Sequence, residues 1–99
     1  MKGYVIASVT VEDPAVYETY RSQVLATVEK HGGRFLVRGG QCEQKEGAWS
    51  PGRIVVLEFP SLAAARGWYE SADYAPLARL RQSASRTDIL LIVEGAPGV

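Results

Sequence analysis

The 99 residues carry eleven Lys plus Arg against eleven Asp plus Glu. That zero formal net charge builds no broad positive field for nucleic acid or an anionic membrane. An apolar content of 46% and a charged content of 22% belong to an ordinary soluble domain, and the length sets a single one over residues 1–99. Cys42 is the one cysteine, which excludes an intramolecular disulfide and argues against a cysteine-based metal cluster.

The chain opens Met1-Lys2-Gly3-Tyr4 and soon reaches Thr10, Glu12 and Asp13. That start is too short and too polar for a signal peptide, so the cytoplasm is the expected compartment. No run approaches the roughly 18 apolar residues of a membrane span. The first strand is expected over Gly3 to Val11. Asp13 is a good N-cap and Pro14 suits the first helical position, where its missing N–H costs nothing. Tyr17, Tyr20, Val24 and Val28 then recur at helical spacing. Gly32-Gly33 stops the helix, which is predicted over Pro14 to His31.

Arg34 to Arg38 reads as a second strand ending at Gly39-Gly40. A polar stretch, Gln41 to Gly52, follows with Gly47, Pro51 and Gly52 as breakers. Trp49 within it is either a lid packed on the protein's own edge or a contact for a partner or ligand. Arg53 to Phe59 is the third strand, closed by Pro60. Ser61 caps a second helix through Ala65, Trp68 and Tyr69. Ser71 to Pro76 interrupts it, and Pro76 begins a further helical segment. Leu77, Leu80 and Ala84 mark the apolar side of that segment, with Arg79, Arg81 and Arg86 in solvent. Asp88 to Glu94 is the last strand, and about residues 95–99 form a flexible tail.

The order β-α-β-β-α-β has one economical solution. A right-handed crossover leaves a gap between the parallel first and second strands. The third strand fills that gap antiparallel to both, and the fourth flanks the first. The expected class is α+β, a ferredoxin-like plait with a four-stranded antiparallel sheet and its helices on one face. In Gly3–Thr10 and Arg53–Phe59, odd and even positions alike are apolar. The sheet therefore has two apolar faces and helices for only one. A patch of that extent is abnormal on a monomer, so a second copy packed sheet to sheet is expected.

Candidate chemistry is sparse. His31, the one histidine, is either a C-terminal helix cap or a general base in the groove between helix and sheet. Arg38 and Glu58 are charges within apolar strands of one hairpin. They read as an ion pair, or as polar anchors of an apolar pocket, Arg38 for an anionic or carbonyl oxygen and Glu58 as its partner or a second acid/base. Tyr17, Tyr20, Trp68, Tyr69 and Tyr74 concentrate aromatic surface on the helices. They are core packing, or the wall of a cavity for a flat molecule; Tyr17, Trp68, Tyr69 and Tyr74 are the candidates for ligand contact. There is no Gly-rich phosphate loop with Lys-Ser/Thr, no His-Glu-x-x-His and no Cys-x-x-Cys. No cofactor and no metal are expected, haem on His31 being the weaker alternative. The third strand, Arg-Ile-Val-Val-Leu-Glu-Phe, lacks the aromatics of an RNA-recognition module.

A set of motifs in order adds to this reading: Gly3-Tyr4-Val5-Ile6-Ala7, Asp13-Pro14 with Tyr17 and Tyr20, His31-Gly32-Gly33, Arg38-Gly39-Gly40 and Glu58-Phe59-Pro60-Ser61. Trp68-Tyr69, Tyr74, Leu77, Arg81 and Val93-Glu94-Gly95 continue it. The chain resembles the DUF1330 family, a domain of unknown function in the dimeric α+β barrel superfamily, over nearly its whole length. The resemblance implies a ferredoxin-like protomer and a homodimer, and no particular reaction. Relatives by fold include cofactor-free monooxygenases, lactone isomerases, haem-handling enzymes and plain ligand binders. The expectation is a homodimeric protein binding a small organic molecule. Its enzymatic form would be a cofactor-independent isomerase or monooxygenase, and its rival is a non-catalytic ligand-binding or interaction module.

Overall fold

A computed structural model describes residues 1–98. Its elements are β1 (Gly3–Val11), α1 (Pro14–Lys30), β2 (Arg34–Arg38), β3 (Arg53–Phe59), α2 (Leu62–Tyr69), α3 (Ala75–Ala84) and β4 (Ser85–Glu94). The strands form one antiparallel sheet in the order β2-β3-β1-β4. This is the α+β, ferredoxin-like plait that the element order implies.

Local chemistry fixes the helix ends. The Asp13 carboxylate accepts from the Val16 amide at 3.2 Å and Pro14 opens α1. At the other end Gly32 lies at φ +80°, and the Gly32 and Gly33 amides return to the Glu29 and Val28 carbonyls. That pairing closes the last turn with a left-handed residue that favours glycine. Ser61 Oγ accepts from the Ala64 amide at 3.0 Å to start α2.

The sheet's two sides divide by strand alternation. Val5, Ala7, Val9, Val55, Leu57, Phe59, Leu90 and Ile92 face the helices and join Tyr20, Val24, Val28, Trp68 and Leu77 in the core. Ile6, Ile54, Val56, Ile89, Leu91 and Val93 face away, and no helix covers them. Gly3 marks the close approach of α2: a Cβ there would stand 2.7 Å from the Leu62 Cα.

Three expectations change, and the alternatives for Trp49 are decided. β4 begins at Ser85, three residues before Asp88, because Ser85, Arg86 and Thr87 pair with Val11, Thr10 and Val9. The Ala84 carbonyl accepts from the Glu12 and Asp13 amides, both at 2.9 Å, so the chain turns from α3 into the strand without a loop. Arg81 is not in solvent: it is 3% exposed. Trp49 is 54% exposed, so it is no lid on the chain's own edge. The expected tail over 95–99 begins with an anchored residue, the Gly95 amide donating to the Lys2 carbonyl at 2.7 Å; Val99 lies outside the described residues. Among the described residues no helix is long and apolar enough to cross a membrane.

Candidate functional site

A cavity lies between α1, α3 and the helix side of the sheet. Val5, Ala7, Leu57 and Leu90 form its floor, and Tyr17, Tyr20, Trp68 and Tyr74 form much of its wall. Its polar component is cationic: Arg38, Arg53 and Arg81 line it, with Arg21 at the rim. The room open to the centre of a water-sized sphere is about 30 Å³, enough for roughly two water molecules.

Each arginine arrives by a traceable route. On β2, Phe35 pairs with Leu57, yet Val37 pairs with Val56 and Arg38 with Val55. This bulge at Leu36 inverts the alternation, so Phe35 and Arg38 share the helix side. Regular pairing would send Arg38 to the opposite face. Arg38 Nη2 donates to the Arg21 carbonyl on α1 at 2.6 Å, and its guanidinium lies 4.2 Å from the Phe35 ring centre. The side chain thereby straps β2 to α1 across the rim. Arg53 sits over Tyr17 at 5.7 Å and donates to the Arg38 carbonyl. Gly39, at φ +71°, leaves room for it: a Cβ there would overlap the Arg53 guanidinium. Arg81 occupies the inward stripe of α3 with Leu77 and Ala84.

None of these three guanidinium groups has a carboxylate partner among the described residues. Among the described residues no Asp, Glu or His side chain lines the cavity. Burial presses Arg38 below its ordinary value, and the cations of Arg21 and Arg53 add to the effect. Arginine remains charged under such pressure. The Tyr20 and Tyr74 hydroxyls lie 3.0 Å apart in the interior. Burial, with Tyr74 beside it, drives the Tyr20 hydroxyl far above its usual range. Burial likewise raises Tyr74, outweighing the nearby Arg81 and the hydrogen bond from Tyr20. Both phenols are therefore neutral donors at neutral pH, and weak bases.

The structure brings Tyr17, Arg38, Trp68 and Tyr74 together at this cavity. Trp68 is held by its indole N–H, which donates to Thr27 Oγ1 at 3.0 Å. Tyr69 stands behind the wall, edge-on to Trp68 at 6.3 Å. His31 is elsewhere: it is the C-cap of α1, with Nδ1 donating to the Thr27 carbonyl at 3.0 Å. Glu58 is on the other side of the sheet and does not meet Arg38. It accepts from Arg34 at 3.0 Å, Tyr4 at 3.0 Å and Lys2 at 3.2 Å. Burial works upward on its carboxyl, but those hydrogen bonds together hold it below the usual carboxylate range. The separation follows from the bulge: Arg34 is Glu58's cross-strand neighbour, and Arg38 is turned to the opposite face. A cleft of about 320 Å³ beside Lys2, Gly32, Arg34 and Glu58 holds only these paired charges.

Sequence reasoning missed Arg81 and Arg53. For Arg81 the signal was present, since Leu77-Arg81-Ala84 follows the 4-then-3 spacing of an inward stripe. For Arg53 the signal was partial: alternation puts it on one face with Val55, Leu57 and Phe59, but both faces of β3 are apolar and pairing with Val9 decides which one meets the helices. Among the described residues no group of three or more His, Cys, Asp or Glu is placed to hold a metal ion.

Sheet order and one-sided helices define a ferredoxin-like α+β protein, with a small aromatic, cationic cavity beneath the helices. The chain belongs to the family described as "Domain of unknown function (DUF1330)", which matches it over residues 2–96. Solved structures share the architecture. RPA0582 of Rhodopseudomonas palustris, a protein of unknown function, aligns with a TM-score of 0.74 at 16% identity, covering 96% of this chain and 82% of that one. SnoaB of Streptomyces nogalater, a cofactor-independent oxygenase, aligns at 0.65 and 15% identity, covering 99% and 96%. HapK of Hahella chejuensis aligns at 0.63 and 17% identity, covering 98% and 95%. At these identities the likeness is one of fold. No curated protein matches the chain.

Proposed function

We propose that this protein binds a small organic molecule between its helices and its sheet, as one half of a cytoplasmic homodimer. The observation that carries the reading is the cavity: apolar floor, aromatic wall and unpaired guanidinium groups, the composition of a small-molecule site. Arg38, Tyr17, Trp68 and Tyr74 are the proposed ligand contacts. His31 and Glu58 have other partners and take structural roles in this reading. Nucleic acid and membrane are not its partners.

The homodimer rests on the uncovered face. Ile89, Leu91 and Val93 on β4, with Leu36 and Val37 on β2, are large apolar side chains left exposed. A second copy, sheet to sheet, would remove them from water.

A cofactor-independent oxygenase or isomerase is the enzymatic form of the proposal, and SnoaB supports it through fold alone. The cavity wall favours the rival form, a binder. Among the described residues it carries no carboxylate or imidazole to take a proton, and its two neutral phenols are poor bases. A thermal-shift screen against small carboxylates and phenols tests the shared claim. Saturable stabilisation of the wild type and His31→Ala, lost in Arg38→Ala, is expected. Equal response of both variants would remove Arg38 from the site, and no response in any protein would remove the cavity. Oxygen uptake with any phenol that binds separates enzyme from binder.

A further inference from the structure

Arg81 is the feature that packing does not explain. It is 3% exposed. Of its three nitrogens only Nη1 has a partner among the described residues, Thr87 Oγ1 at 3.3 Å, and Nε is fully buried with none there. Arg53 Nε is in the same condition. A buried cation is costly unless an anion and hydrogen bonds compensate it, and among the described residues no acidic side chain lines this cavity.

The tyrosine pair adds a second donor. Two hydroxyls share one hydrogen bond at 3.0 Å, so one uses its hydrogen on the other and one hydrogen remains unspent. Neither phenol has another protein partner among the described residues. The lining thus presents guanidinium N–H groups and a phenolic O–H, all donors, with aromatic rings beside them.

We infer that the cavity takes an organic anion, a carboxylate or an enolate on a planar apolar body. Its charge sits at Arg81 and the Tyr20–Tyr74 hydroxyls. Arg53 supplies the second positive charge, and Tyr17 and Trp68 flank the body. The inference rests on the cavity reading above and narrows it to a charge class. The present room admits a carboxylate in place of about two waters. A ring requires the Arg38 strap to leave the Arg21 carbonyl.

The test is calorimetric titration of the wild type at constant ionic strength with acetate, benzoate and the neutral isostere benzamide. Benzoate is expected to bind at least about tenfold more tightly than benzamide, since charge-assisted hydrogen bonds are the stronger kind. In Arg81→Met that preference should vanish, and the ligand-free variant should melt higher than the wild type, because an uncompensated buried charge is gone. Benzamide matching benzoate would overturn the anion class and leave the cavity reading standing. An absence of heat from all three probes would overturn both. The acid–amide comparison uses the wild type alone, so it stands even where Arg81→Met fails to fold.

Discussion

Arg81 sets a requirement that its neighbours on α3 do not. Leu77 and Ala84, its companions on the inward stripe of α3, need only bury; a guanidinium at that position needs a partner. The Tyr20–Tyr74 pair is accessible to a double-mutant cycle. Tyr20→Phe alone leaves the Tyr74 hydroxyl buried and unpaired, at a cost of about 1–3 kcal/mol, whereas the double Phe variant should recover much of it. Urea unfolding of the three variants measures this. Gly39→Ala should lose about 1–2 kcal/mol, because residue 39 is in the left-handed region. It should also displace Arg53, so ligand response and stability fall together. Glu58 gives a pH signature. Its carboxyl is held below the ordinary range, so its stabilisation is present above that range and is lost as pH falls through the lowered value. The stability gap between wild type and Glu58→Gln should be open at pH 7 and close in acid, and unfolding at both pH values will show it.

Helices were more legible than strand details. Asp13, Pro14 and Gly32-Gly33 bound α1 in the sequence as they do in the fold, because capping is local chemistry. Asp13→Ala should therefore cost about 1 kcal/mol by thermal or urea unfolding. The start of β4 was hidden because Ser85-Arg86-Thr87 is polar, and its strand character comes from pairing with β1. The bulge at Leu36 was hidden for the same reason, and it decides the candidate site. It places Arg38 in the cavity and separates it from Glu58, which spacing within the hairpin could not reveal. Deleting Leu36 should remove the bulge and leave Arg38 opposite Val55 on the helix side. Retained ligand response in a folded protein, judged by circular dichroism and melting, is the expected outcome.

The topology was legible because few connections of β-α-β-β-α-β are allowed, and the sheet order β2-β3-β1-β4 follows it. The same plan leaves two apolar sheet sides and helices for one. The homodimer proposed for the bare side predicts that Leu91→Lys lowers the solution mass by half in light scattering. An unchanged mass would place the interface elsewhere.

The claim on which function depends is that a ligand enters between helices and sheet, and two tryptophans report on it from different places. Trp68 lines the cavity, and Trp49 sits in the exposed stretch between β2 and β3. A nitrogen–proton correlation spectrum followed during benzoate titration reads both indoles. Saturable movement of the Trp68 indole signal, with Trp49 unmoved, is the predicted result. Movement of Trp49 alone, or of neither, would contradict a binding site beneath the helices.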